Sequence, residues 1–244
     1  MNMENLGKFY IDGAWIAPKS SLAMPVLNPA TELQIGSVAL GDAADVDVAV
    51  AAASQAFVSY SQTSKVDRLV LLHRLMAVTQ SRFEDLAQAM SIEMGAPISM
   101  AREAHADAAV GHLQGFIDVL ENIQERKKLA SGDIQLREAI GVCGLITPWN
   151  WPMNQIALKV IPALATGCTC VLKPSEHTPI SAMIYAEIIH EAGFPAGVFN
   201  LVQGDGPTVG AAMSRHPNVQ MMSFTGSTRA GTAVTRDAAD TVKR

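Results

Sequence analysis

GVCGLITPWNWPMNQIALKVIPALATGCTCVLKPSE, Gly141 to Glu176, is the stretch that decides the fold. Val142 to Ile146 is a short apolar run with the pattern of a buried strand. Pro148 and Pro152 have no N–H to give a sheet ladder, so the strand ends at Thr147-Pro148-Trp149-Asn150-Trp151-Pro152. A helix follows, with Ile156, Val160, Ile161 and Leu164 on one face. Trp151, Gln155 and Lys159, four residues apart, line a different face of it. Gly167 closes that helix, and a second strand, Cys170 to Leu172, runs into Lys173-Pro174-Ser175-Glu176. Polar groups therefore gather just past two strand ends, where open parallel sheets bind their ligands.

Upstream, Phe9 to Trp15 with Asp12-Gly13 at its centre predicts a small hairpin. Asn28 to Thr31 is a turn, and a short strand follows near Ile35 to Ala39. Asp42 opens a helix with the stripe Val46, Val50, Ala53 and Phe57. Ser64-Lys65-Val66-Asp67 has the form of a capping box for a helix reaching about Thr79. The next helix runs from about Arg82 to Glu93 and stops at Gly95-Ala96-Pro97. A long one carrying Leu113, Phe116, Leu120 and Ile123 comes after it. This half shows no chemistry. Arg126-Lys127-Lys128 reads as a solvated helix end, and the alternation around Ile134 and Leu136 as a strand leaving the helical layer.

Downstream, Thr178-Pro179 caps a helix that ends at Gly193. Val198 to Val202 is a strand, Gly206-Pro207 opens a helix to His216, Val219 to Phe224 is a strand, and Thr228 to Asp240 is a helix. Repeated β-α units give an α/β fold with an open, mostly parallel sheet and helices on both faces.

Of 244 residues, 49% are hydrophobic and 17% charged, ample for a buried core. A net charge of -5 gives no electrostatic footprint for nucleic acid. Met1 to Lys8 has no signal-peptide core and no run approaches a membrane span, so no membrane partner is expected. Three cysteines, two of them in Cys168-Thr169-Cys170, fit a reducing cytoplasm. His105 and His112 look like surface positions, and no histidine spacing suggests a metal. Without a G-x-S-x-G elbow or a P-loop, hydrolase and NTPase readings fall away.

Several groups carry candidate chemistry. Lys173 and Glu176 can hold the hydroxyls of a ribose, or can form a surface ion pair at a helix start. Gly204-Asp205-Gly206-Pro207-Thr208-Val209-Gly210 is one residue longer than the dinucleotide fingerprint. Phe224-Thr225-Gly226-Ser227 joins a strand to a helix N-terminus, a place for a pyrophosphate or a plain N-cap. Asn150 can donate to a developing oxyanion, or can simply be a turn asparagine. Lys159 is either a proton-relay residue or a solvent-facing lysine. Cys143, Cys168 and Cys170 lie in or beside strands and read as small buried residues rather than nucleophiles.

Pro148-Trp149-Asn150, Pro162 to Cys168, Lys173 to Glu176 and Phe224 to Ser227, in that order, resemble signature segments of the aldehyde dehydrogenase superfamily. The resemblance covers essentially the whole chain, but only about the first half of a family member. It implies a helical first part of the cofactor-binding domain over residues 1–125 and an oligomerisation-arm strand over 126–140. A Rossmann-like NAD-binding part would occupy 141–244, stopping before its last strand and without a catalytic domain. By the same resemblance Asn150 would stand in the oxyanion hole, with Lys159 in the proton relay. Ile146, Thr147, Pro148 and Trp149 would contact the cofactor, as would Lys173, Ser175 and Glu176. Gly206, Pro207 and Gly210, and Phe224, Thr225, Gly226 and Ser227, would complete that site. Trp151 and Gln155 would face a small aldehyde substrate. The cofactor would be NAD, with NADP the second candidate, because an anion at Glu176 disfavours an added phosphate. The parent enzyme would be a homodimer or homotetramer oxidising an aldehyde to its acid. By the same resemblance the family's general-base glutamate and nucleophilic cysteine would not fall within these residues. The other reading is a non-catalytic nucleotide-binding or interaction module derived from that fold.

Overall fold

The computed structural model describes residues 4–244; Met1–Met3, the start of the stretch scanned for a signal peptide, lie outside the described residues. The chain opens with the hairpin β1 (Phe9–Ile11) and β2 (Ala14–Ile16), then β3 (Leu22–Leu27) and β4 (Gln34–Leu40). Asp12 and Gly13 both take positive φ, at 52° and 77°, the left-handed pair that a two-residue hairpin turn requires. Helices α1 (Ala43–Tyr60), α2 (Lys65–Ser81) and α3 (Phe83–Met94) follow. Asp42 and Ser64 cap α1 and α2 in full capping boxes. The long helix comes in three pieces: α4 (Ile98–Met100), a π-helical segment (Ala101–Ala106) and α5 (Asp107–Asn122).

Arg126–Lys128 is a strand, β5, paired antiparallel with β6 (Ile134–Leu136), and not the end of a helix. A turn at residues 129–133 lets the basic run alternate along an exposed ribbon instead. The remaining elements are β7 (Val142–Ile146), α6 (Pro152–Ala165), β8 (Thr169–Lys173), α7 (Pro179–Glu191) and β9 (Phe199–Leu201). A π-turn (Gly206–Gly210) then leads into α8 (Ala211–Arg215), β10 (Met221–Phe224) and α9 (Thr228–Ala238).

The main sheet has the order β10-β7-β8-β9-β1-β2. Its first four strands are parallel; the expected β1–β2 hairpin joins antiparallel at the β9 edge. Both faces are covered, which is why every residue of β7 and β8 is buried and their centres are apolar rather than alternating. Cys143, Leu145, Cys170 and Leu172 face the α2, α5, α6 and α7 side. Val142, Ile146 and Val171 face α1, with Val209 and Met213. Arg244 lies beside β10 on the side away from β7, accepting from Met222 N at 2.7 Å and donating to Gln220 O at 3.2 Å.

Candidate functional site

Three strands finish side by side. Phe224 is in register with Ile146, and Ile146 with Lys173. The chain leaving each end is pinned to its neighbour: Thr147 N donates to Lys173 O at 3.2 Å, and Thr225 N to Ile146 O at 3.1 Å. Across these ends passes the π-turn Gly206–Gly210, in which Gly210 N donates five residues back to Asp205 O at 3.2 Å. The wider turn takes up the residue by which this segment exceeds the usual fingerprint spacing. A Cβ on Gly210 would come within 3.7 Å of Ile146 Cδ1 and 3.8 Å of Lys173 Cδ, so the turn lies close over the strand ends.

The result is a groove of about 450 Å³ between α8 and α9, lined by Ile146, Gly206, Pro207, Gly210, Phe224 and Arg229, among others. Ser227 caps α9 by accepting from Ala230 N at 3.3 Å. The free N–H groups and dipole of that helix start favour an anion. Thr225, Gly226 and Ser227 form the turn itself, and the Phe224 ring packs beneath Gly226.

Lys173 is not in a surface ion pair. It is 3% exposed, and its ammonium donates to Gly204 O at 2.6 Å, Pro174 O at 2.7 Å and Glu176 Oε2 at 3.3 Å. Burial pulls its pKa down, with the Glu176 carboxylate opposing the shift. Ser175 is buried too, its hydroxyl accepting from His177 N at 3.3 Å.

The Pro148-Trp149-Asn150 turn leaves Asn150 exposed. Trp149 is 54% exposed and lines a different groove, with Val26, Glu93, Met94 and His177, rather than the one Ile146 lines. Trp151 stacks on His105 with ring centroids 4.0 Å apart and planes 19° from parallel. His105, expected at the surface, is buried because the π-helical segment turns it inward against α6, and burial lowers its pKa. His112 is half-buried and bonds Asn154 Oδ1 through Nε2 at 2.7 Å, while Gln155 is half-buried beside them. Lys159 does not face solvent. It is buried, and its ammonium donates to Thr225 Oγ1 at 2.8 Å and Ser223 Oγ at 3.3 Å.

All three cysteines are free and buried. Burial raises the Cys170 thiol, and donation to Cys168 together with burial raises that of Cys143. Neither has the electropositive, accessible setting of a nucleophile.

The aldehyde dehydrogenase family model matches residues 15–244. The chain belongs to this family. It is 51% identical over 243 residues to 3-succinoylsemialdehyde-pyridine dehydrogenase of a Pseudomonas species, a match covering 99% of this chain and 51% of that protein. Among solved structures, a mutant of aldehyde dehydrogenase C from Pseudomonas syringae, in complex with NAD+ and octanal, superposes with a TM-score of 0.97. That match has 51% identity and covers 100% of this chain and 50% of the other. An aldehyde dehydrogenase from Bartonella henselae gives 0.96 at 47% identity, covering 97% and 50%. The chain thus spans about half the length of the relatives it matches.

Two features of this aldehyde dehydrogenase chain escaped the sequence reading. Glu93 is 4% exposed and accepts from Ile180 N at 2.6 Å and Ser181 N at 2.9 Å, capping α7. Thr178, expected as the cap, makes no such side-chain bond. Ser223 holds Lys159 from within β10. Glu93 sits in the last turn of α3, where a glutamate reads as a solvated end, and nothing local signals a partner 87 residues away.

Proposed function

We propose that the chain supplies the cofactor-binding part of an NAD-linked aldehyde dehydrogenase, an oxidoreductase that converts an aldehyde to its carboxylic acid. The observation that carries this is the in-register meeting of Phe224, Ile146 and Lys173 beneath the Gly206–Gly210 turn. It makes a groove past the carboxyl ends of parallel strands, between two helices, where a dinucleotide fits. The N-terminus of α9 faces the pyrophosphate. Glu176, held by Lys173, accepts the ribose hydroxyls and repels the added phosphate of NADP. Ile146 and Thr147 approach the cofactor from the end of β7, whereas Trp149, on the next turn, lines the neighbouring groove and does not support the contact expected of it. NAD, when bound, supplies the hydride acceptor.

The chain's own groups bind and stabilise charge. Asn150 stands exposed on the turn beyond β7, free to donate to an oxygen that becomes negative. Trp151 and Gln155 face the aldehyde. Lys159, its charge disfavoured by burial, adjoins the hydroxyls of Thr225 and Ser223, the kind of chain a proton relay uses. Residues 1–125 serve as the helical part of the cofactor domain, 126–140 as an arm between subunits of a homodimer or homotetramer, and 141–244 as the Rossmann-like part. The free cysteines fit the cytoplasm. Among the described residues no helix is long and apolar enough to cross a membrane.

The buried cysteines favour a second reading for the chain taken by itself, binding without turnover. Calorimetric titration with NAD and NADP tests the cofactor assignment: NAD should bind the tighter, and tighter NADP binding would reject it.

A further inference from the structure

We propose that Glu93 is a positioning residue for the dinucleotide site: from the last turn of α3 it holds the first turn of α7, and through that turn the Lys173–Glu176 segment. The inference rests on the dinucleotide reading above.

Helix α7 begins with Pro179, which has no N–H, so Ile180 and Ser181 bear the first donors needing a partner. Its own Thr178 supplies none. Both donors go instead to the two oxygens of Glu93, at 2.6 and 2.9 Å. The carboxylate is 4% exposed, and an anion held by two N–H groups at a helix start gains from the helix dipole as well.

The segment between β8 and α7 is short and tied at intervals. Thr178 N donates to Ser175 O at 3.1 Å, His177 N to Ser175 Oγ at 3.3 Å, and Gln203 Nε2 to Pro179 O at 3.4 Å. Residues 174–179 therefore bridge two fixed points, Lys173 in register on β8 and Ile180-Ser181 on Glu93. Glu176 lies between them, its carboxylate 3.3 Å from Lys173 Nζ. Releasing the α7 end frees the one segment that sets where Glu176 points.

The experiment is a double-mutant cycle with NAD as the probe, using Glu93→Gln, Glu176→Gln and the double variant in the full chain. An amide offers Ile180 and Ser181 only one acceptor, so Glu93→Gln should weaken NAD binding about tenfold. In the Glu176→Gln background it should cost less than about twofold more, because its effect passes through Glu176. Amide hydrogen exchange without ligand should show faster exchange at 174–181 and none in α6. An equal loss in both backgrounds, or an unchanged dissociation constant in Glu93→Gln, overturns the proposal. If the wild-type chain binds no NAD, the dinucleotide reading fails. The exchange data then decide Glu93 alone, and unchanged protection of Ile180 and Ser181 rejects its role. Should Glu93→Gln not fold, Glu93→Asp, which keeps the charge and shortens the reach, must show the same pattern in smaller degree; a wild-type-like result for it overturns the proposal.

Discussion

Lys159 Nζ donates to Thr225 Oγ1 at 2.8 Å, joining α6 to the turn that carries the α9 N-terminus. Desolvation holds its pKa below the ordinary 10.5. A lysine whose folded pKa is depressed costs stability while charged, and that cost fades as pH rises through the lowered value toward 10.5. Lys159→Met keeps the packing and removes the charge. Urea unfolding should therefore show the wild type gaining on Lys159→Met as pH rises to that limit. NAD binding should weaken about threefold in the variant, as one charged hydrogen bond to the cofactor turn is lost. A wild type that loses ground with rising pH would contradict the assignment.

Glu93 has the opposite linkage. Burial raises its carboxyl from 4.5 to about 7, against the pull of the Ser181 and Ile180 bonds. A raised folded pKa contributes stability that is complete below 4.5 and is lost as pH climbs through about 7. Among the described residues lining its groove, the one other titratable group is the exposed His177. Denaturant midpoints should fall over this window in the wild type and fall less in Glu93→Gln. An equal slope in both would place the titration elsewhere.

The purified chain should form no NADH from NAD and a panel of short and aromatic aldehydes. An oxyanion donor stabilises nothing until a nucleophile attacks, and Cys143, Cys168 and Cys170 are all buried. A disulfide reagent should label them only on unfolding. Turnover that disappears when one of them becomes alanine would show this to be wrong.

Ile134 and Leu136 are about half exposed on the β6 strand, with Leu129 and Ile140 also bare to either side. A two-stranded ribbon with this much apolar surface is stable only against something else. Light scattering at neutral pH should find an associated species, and Leu136→Lys should shift it toward monomer. A wild type that is already monodisperse and monomeric would contradict the arm.

The β-α alternation from Gly141 onward was legible because buried parallel strands are unbroken apolar runs, and Pro and Gly mark their ends. The fold before it was legible through caps: Asp42 and Ser64 announce their helices in local sequence. β3 was not, since Leu22–Leu27 is mostly exposed and holds Pro25, so neither alternation nor burial marks it. The basic run 126–128 misled for a related reason: three charged residues carry no period, and only pairing with 134–136 makes them a strand. At the candidate site, Lys173, Glu176 and the 206–210 turn stand out in the sequence by their place after strands. Glu93, His105 and Ser223 act through contacts far along the chain, which no local pattern encodes.

On the proposed reading NAD lies across the ends of β10, β7 and β8. Backbone amide shifts of the labelled chain, followed by NMR as NAD is added, test it most directly. Saturable shifts should concentrate at Ile146, Lys173 to Glu176, Gly206 to Gly210 and Phe224 to Ala230. No shifts at saturating NAD, or shifts confined to the Trp149 groove beside Val26 and Met94, would contradict it.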